Sequence, residues 1–299
     1  MSGAARPLVL LTGGSGQVGS ALLRLPSDYE IVAPSRDGLN LADPAQVTEL
    51  VSSRPWNLVI SSGAYTAVDK AQTDAVEAWR INALGPTALA AETARADIPL
   101  IHLSTDYVFD GTKSSPYIED DPVGPVSVYG ASKEGGEQAV RTLNPRHVIL
   151  RTAWVVSATG SNFIKTMLRL GETRDTVSVV EDQVGCPTSA DDIATGILEI
   201  ADQILGGGSE RFGTYHLVNS GEATWHQLAD HVFVRAAQAG RKVPSVIGIP
   251  SSGYPTPARR PMNSRLDTSK LTREFGFQPR PWRQAIDQVM DELLNPVRA

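Results

Sequence analysis

Cysteine is almost missing from this chain: Cys186 stands alone among 299 residues. No intramolecular disulfide can form, and a cysteine-based zinc cluster is excluded. Cys186 itself precedes a proline in a predicted loop and reads as structural rather than reactive. Histidine does not fill the gap. His102, His147, His216, His226 and His231 are scattered, and the closest pair, His226 and His231, is spaced i,i+5, off a shared helical face. No bound metal is expected. A basic excess is also lacking: 27 lysines and arginines face 33 aspartates and glutamates, for a formal charge of -6. Phosphate backbones need a basic face, so nucleic acid is not expected as a partner. A small anionic substrate stays compatible, because local arginines can override the global sign. No apolar run approaches the ~18 residues of a membrane span. The N-terminus, Met-Ser-Gly-Ala-Ala-Arg-Pro, lacks the apolar stretch and cleavage site of a secretory signal. The expected location is therefore the cytoplasm, with no membrane partner. No internal repeat is present, and the glycine-rich stretch 206–209 is long enough only for a flexible break.

What the chain does have is a strand–helix alternation. Hydrophobic residues at 41% and charged residues at 20% fit a soluble globular protein. The length suits one large α/β unit, or a main domain with a smaller appendage. Continuous apolar runs predict buried strands at 8–12, 30–33, 56–61, 98–104 and 146–152. Between them, helices are predicted after Gly19, over 46–53, as one long helix over 75–96, and over 129–143. Residues 110–125 read as a loop dense in Gly, Pro, Asp and Ser. The expected fold class is α/β, with a doubly wound parallel sheet of Rossmann type. Such sheets bind ligands beyond the carboxyl ends of their strands. The second half is less regular, with helices predicted at 163–170, 189–205, 224–239 and 282–294, strands at 176–180 and 215–218, and a stiff loop at 254–261. It reads as a smaller C-terminal α/β substrate-binding domain. The expected division is 1–153 for the dinucleotide, with later segments returning to it, and 154–299 mainly for a nucleotide sugar.

Three features carry chemistry. Gly13, Gly16 and Gly19 form a Gly-x-x-Gly-x-x-Gly turn between a strand and a helix. That context marks a dinucleotide loop, where the backbone approaches a pyrophosphate and the helix start meets its charge. An ordinary tight turn is the bland alternative. The second strand ends in Ser35-Arg36, where an NAD site usually carries an acid for the ribose 2′-hydroxyl. Arg36 suits a 2′-phosphate, which favours NADPH, with NADH still allowed. A solvated surface arginine fits the sequence equally well. Tyr129 and Lys133 are i,i+4 neighbours on one helix face. A free phenol has a pKa of ~10, too high for ready proton transfer at neutral pH. A nearby ammonium is expected to pull it down. Upstream, Ser104-Thr105-Asp106-Tyr107 closes the fourth strand, and Thr105 is placed to bond a substrate carbonyl. The same hydroxyls could instead serve a local turn.

These segments resemble the extended short-chain dehydrogenases/reductases. Within that superfamily the chain closely resembles the dTDP-4-dehydrorhamnose reductases. The likeness runs through Gln17-Val18, Ala64-Tyr-Thr-Ala-Val-Asp-Lys70, Ser104 to Gly111, Tyr129 to Lys133, Arg151-Thr-Ala-Trp154, Asp182 to Thr188, and Arg260-Pro-Met-Asn-Ser-Arg-Leu266. It implies Tyr129 as proton donor, Lys133 as its partner and a cofactor ligand, and Thr105 as third catalytic group. It implies Gly16, Gln17 and Val18 at the pyrophosphate, Asn40 and Leu41 at the adenine, and Ala64, Tyr65 and Thr66 at the ribose and phosphates. Thr105, Asp106 and Trp154 would face the sugar. The implied reaction is hydride transfer from NAD(P)H to C4 of dTDP-4-dehydro-L-rhamnose. The chain departs from the family at Asn40, usually Asp, and at Ser35-Arg36, usually acidic. Trp154 could bind a sugar or pack between domains. Arg259, Arg260 and Arg265 could meet the substrate diphosphate or face solvent. A homodimer is the assembly carried forward. An epimerase or dehydratase on the same scaffold, or a regulatory subunit of the methionine adenosyltransferase kind, is the competing reading.

Overall fold

The computed structural model describes residues 6–207 and 211–295. The N-terminal stretch 1–5 and half of the glycine-rich break, 208–209, lie outside the described residues. Six parallel strands form the main sheet, in the spatial order Gly213–His216, His147–Thr152, Leu100–Thr105, Leu58–Ser61, Leu8–Thr12, Glu30–Val32. The expected doubly wound sheet is thus present. Its direction of winding reverses between Leu8–Thr12 and Leu58–Ser61, so the carboxyl ends of those two strands open a crevice.

The register explains why the runs are continuously apolar. Leu10 pairs with Val59 and with Val32, and Ile101 pairs with Val148 and Ile60. Helices cover both faces of this sheet. Leu10, Val59, Leu100 and Ile149 pack toward Val47, Val51 and Leu89 on one side. Leu11, Ile60, Leu103 and Leu150 pack toward Leu22, Ile193 and Ile197 on the other. With no face left to water, alternation has no physical basis.

The helix Ala190–Leu205 shows how the second half returns. Ile193, Ile197, Ile200 and Ile204 recur at helical spacing and are buried against the first core. Ser189 starts the helix by accepting the Asp192 amide at 3.0 Å. Burying each isoleucine contributes roughly 1.5–3 kcal/mol. The strand Gly213–His216 then adds to the sheet edge beside His147–Thr152.

The long helix expected over 75–96 is instead interrupted. It runs Ala75–Trp79, passes through a π-helical turn at Arg80–Leu84, and resumes at Gly85–Arg95. Pro86 has no amide to donate, which loosens the ladder at the second junction. Asn82, inside the turn, holds both the Tyr65 amide (2.8 Å) and its carbonyl (3.0 Å). That grip, which ties the turn to the end of the third strand, is a tertiary bond that helix propensity cannot foresee.

The remaining strands form small sheets. Thr176–Val180 pairs with Ser245–Ile249, a strand with no clear sequence signal. Val184–Gly185 lies between Ala223–Thr224 and Asn263–Ser264, and Val155–Val156 pairs with Thr188–Ser189. They enclose a second core built on Trp154, Phe233, Trp282, Ile286 and Met290. Among the described residues no helix is long and apolar enough to cross a membrane.

Candidate active site

The glycine turn follows Leu8–Thr12. Gly13 has a φ of +74°, and a Cβ there would sit 2.5 Å from the Gly63 backbone. A Cβ on Gly19 would reach 2.2 Å from the Gly13 carbonyl oxygen. Only glycine fits either place. The helix Gln17–Arg24 then begins at Gly16 without a side-chain cap. Other helices are capped by Asp43, Ser127, Asn162, Ser189 and Thr224. The uncapped start leaves backbone amides and the positive helix end for a diphosphate. Val18 is buried in the core. The Gln17 side chain is also engaged: its Oε1 accepts from Ser157 Oγ (2.9 Å) and Asn162 Nδ2 (3.0 Å). What residues 16–18 keep for a pyrophosphate is therefore their backbone. Gln17 also bridges the two halves of the chain, a role the sequence reading missed.

Ser35 Oγ accepts the Gly38 amide at 3.3 Å in a tight turn. Arg36 is exposed and makes no hydrogen bond or ion pair among the described residues. Asn40 Oδ1 accepts the Ala42 amide at 3.0 Å, which shapes the next turn, and a Cβ on Gly63 would come within 2.7 Å of Leu41. Ala64 and Tyr65 are half-buried and Thr66 is exposed, just past the third strand. Tyr65 also donates its hydroxyl to Asp74 at 3.1 Å. The glycine turn and this segment meet where Gly13 packs on Gly63, and the backbone amides left there suit a dinucleotide phosphate.

Thr105 ends the fourth strand and Asp106 starts a short turn. Thr105 Oγ1 donates to Asp106 Oδ1 at 2.9 Å and accepts from the Tyr107 amide at 3.3 Å. The turn-making use of this hydroxyl is thus real. Tyr129 and Lys133 lie in the first turns of helix Val128–Leu143, which Ser127 caps. Tyr129 packs edge-on against Tyr107, with ring centroids 5.5 Å apart.

The phenol behaves against expectation. Burial pushes Tyr129 up to about 12, while the Thr105 hydroxyl pulls down and the Asp106 charge pushes up. Lys133 Nζ donates to the Leu103 carbonyl at 2.6 Å. Burial in turn lowers Lys133 to about 8, opposed by Glu137. Desolvation outweighs pairing here because burial disfavours the charged form of each group. A phenol held up in this way is protonated at neutral pH, which suits an acid.

Glu137, four residues beyond Lys133, is fully buried. It accepts from Arg151 Nε (2.9 Å) and Nη2 (2.7 Å) and from Arg141 Nη1 (2.7 Å). The sequence reading missed it, although Lys133 and Glu137 share the i,i+4 spacing that singled out Tyr129 and Lys133.

Trp154 has a φ of +50°, and its ring stacks on Trp225 with centroids 3.5 Å apart. In this structure it is buried packing between elements of the second half. Arg260 is committed as well. Its Nη1 and Nη2 bind Asp69 at 2.9 and 2.8 Å, and Asp69 also takes the Ala258 amide at 3.1 Å. Arg265 bonds Asn263, Glu222 and the Ser114 carbonyl. Arg259 is exposed. Of the three arginines, then, two are tied into protein contacts. Among the described residues no cluster of His, Cys, Asp and Glu could hold a metal ion.

A glycine cradle at the switch point and a Tyr-x-x-x-Lys helix beside the fourth strand define an extended short-chain dehydrogenase/reductase. The chain belongs to the family described as the RmlD substrate binding domain, which it matches over residues 7–295. A dTDP-4-dehydrorhamnose reductase of Sinorhizobium fredii is 46% identical over 287 residues, covering 95% of this chain and 97% of that one. The crystal structure of a dTDP-4-dehydrorhamnose reductase of Clostridium acetobutylicum superposes with a TM-score of 0.89 at 35% identity, over 96% of this chain and 99% of that one. The enzyme of Bacillus anthracis, solved in complex with NADP, gives 0.88 at 32% identity, over 96% and 100% of the two chains.

Proposed function

We propose that this chain reduces the C4 ketone of dTDP-4-dehydro-L-rhamnose with NADPH, giving dTDP-L-rhamnose. The carrying observation is that parallel strands Leu8–Thr12 and Leu100–Thr105, on either side of Leu58–Ser61, end in the glycine cradle and in Thr105 at the same carboxyl edge of the sheet, while helix Val128–Leu143 carries Tyr129 and Lys133, and Lys133 bonds the Leu103 carbonyl of the second of these strands. In this reading residues 1–153, with the returning segments, hold the dinucleotide, and 154–299 mainly hold the nucleotide sugar. The backbone of Gly13, Gly16, Gln17, Val18 and Gly19 takes the pyrophosphate. Asn40 and Leu41 border the adenine, and Ala64, Tyr65 and Thr66 the ribose and phosphates. Bound there, the reduced nicotinamide supplies the hydride. Lys133, a buried donor, holds the ribose hydroxyls. Tyr129 gives its proton to the oxygen at C4, and Thr105 positions that oxygen. Asp106 and Trp154 face the sugar, the latter after leaving its present stack. The enzyme works in the cytoplasm, as a homodimer.

The test is NADPH absorbance with dTDP-4-dehydro-L-rhamnose against related ketosugars. Consumption with this sugar above the others is expected. An epimerase or dehydratase would show no net consumption, and so would a regulatory subunit. Cofactor choice has its own test at Ser35-Arg36. A charge-assisted contact is worth ~1.5–3 kcal/mol, so Arg36→Ala is expected to weaken NADPH ~10- to 100-fold and NADH little. Equal losses for both cofactors would remove the 2′-phosphate from the argument.

A further inference from the structure

Asp69 has no part in the chemistry above, yet a whole loop is built on its carboxylate. It lies in the short helix Val68–Ala71, directly after Ala64–Thr66. Its Oδ1 accepts the Ala258 amide at 3.1 Å and Arg260 Nη1 at 2.9 Å, and its Oδ2 accepts Arg260 Nη2 at 2.8 Å. The Ala258 carbonyl in turn accepts Arg260 Nη1 at 3.0 Å and Thr256 Oγ1 at 2.8 Å. Both polar groups of one buried peptide and both terminal nitrogens of a guanidinium are thus spent around a single anchor. Pro255, Pro257 and Pro261 take backbone freedom out of the same loop. A bidentate pair adds geometric specificity to its charge, so it fixes where the loop lies.

The same short helix reaches the catalytic one. Gln72, which closes Val68–Ala71, accepts the Val128 amide at 2.8 Å, the first amide of the helix that carries Tyr129 and Lys133. Asn82, which grips the Tyr65 backbone, also donates to Ser132 Oγ on that helix at 3.0 Å. Beyond Arg260 the chain lies on the end of the Ser104–Gly111 segment. A Cβ on Gly111 would come within 2.6 Å of Pro261, and the Asn263 amide donates to the Gly111 carbonyl at 3.2 Å. Val68–Ala71 therefore joins the edge assigned to the dinucleotide, the catalytic helix, and a loop of the half assigned to the sugar.

We propose that Asp69 and Arg260 are positioning residues that couple the cofactor site to the nucleotide-sugar site. The proposal rests on the reductase reading, which sets the dinucleotide ribose and phosphates against Ala64–Thr66 and the nucleotide sugar against the second half. Two arrangements are involved: residues 254–261 seated on Asp69, as in the structure, and the same loop released. A bound dinucleotide holds Ala64–Thr66, and with them Val68–Ala71, in the position that seats the loop, and so shifts the balance toward the seated arrangement. The seated loop completes the wall that the nucleotide sugar meets. Cofactor thus tightens the nucleotide sugar and, by linkage, the nucleotide sugar tightens cofactor by the same factor. Neither residue is asked to touch the reacting atoms.

The experiment measures dTDP binding by calorimetry with and without saturating NADPH. In wild type the dissociation constant is expected to fall about tenfold when NADPH is present. Asp69→Asn keeps the side-chain shape but turns an amide donor toward Arg260 Nη2, and Arg260→Gln removes the fork. In each variant the ratio of the two constants is expected to shrink to within about twofold of one. The double variant should lose no more than either single one, because the two groups act as a unit. In turnover, KM for the ketosugar should rise more than kcat falls. A lost charge beside an anionic ligand, or a direct contact of Arg260 with the diphosphate, would change dTDP affinity equally with and without NADPH. A wild-type ratio kept in either variant therefore overturns the proposal, even where urea unfolding shows lost stability. A wild-type ratio near one overturns it too, as do additive losses in the double variant. Failure of the reductase reading looks different: wild type would consume no NADPH with the ketosugar, whatever the ratio.

Discussion

Tyr129→Phe is expected to lower kcat ~10²- to 10⁴-fold while NADPH binding stays within about twofold of wild type. The change removes one oxygen from a half-buried ring whose edge contact with Tyr107 does not use it. Stability and the glycine cradle should therefore be untouched. The size follows from what the hydroxyl is asked to do. A ketone that receives hydride becomes an alkoxide, and without a positioned acid the proton must come from water. Burial holds the phenol at about 12 with its proton on. That is an unfavourable state for taking a proton from an alcohol and a suitable one for giving a proton to an alkoxide. Single-turnover kinetics with preloaded NADPH read the chemical step directly. Turnover in the variant within a factor of three of wild type would end the proton-donor assignment.

The largest stability effect is expected at Glu137. Its carboxylate is fully buried and faces Arg151, which is 3% exposed, with Arg141 beside it. Removing one partner of such a group leaves a buried charge unpaired, at ~3–5 kcal/mol. Glu137→Gln should lose that much in urea unfolding. Replacing Glu137 and Arg151 together by Met should recover most of it, because no lone charge then stays inside. The pH dependence has a definite sign. The two guanidiniums hold Glu137 below the usual carboxylate range despite its burial. Its folded value is thus below its unfolded one. The stabilisation is complete above the unfolded value and is lost as pH falls through the folded value. The gap between wild type and Glu137→Gln should accordingly close in acid. Equal midpoints at neutral pH would mean that the pair contributes nothing. There is a functional consequence as well. Glu137 opposes the fall in the Lys133 value, so the variant should leave Lys133 less charged at neutral pH and bind NADPH more weakly.

Much of this molecule was legible before any coordinates. The strands were visible because a sheet covered on both faces needs unbroken apolar runs. The cradle was visible because only glycine accepts the backbone of Gly13 and the approach to Gly63. Tyr129 and Lys133 were visible because four residues make one helical turn. Other parts were hidden for equally definite reasons. The break at Arg80–Leu84 depends on Asn82 gripping Tyr65, seventeen residues away. Asp69 occupies Arg260 across 191 residues, and Gln17 reaches Ser157 across 140. Nothing in local spacing encodes such pairs.

The sequence by itself determined which chemical groups this protein has and where along the strands they emerge, since both follow from residue type and period. Only the tertiary structure decided their protonation and direction. Lys133 turns to the Leu103 carbonyl, burial carries Tyr129 up to about 12, and the Thr105 hydroxyl donates to Asp106. The physical reason is that the energy of a charge or a proton is set by the water removed around it, and distant parts of the chain do the removing.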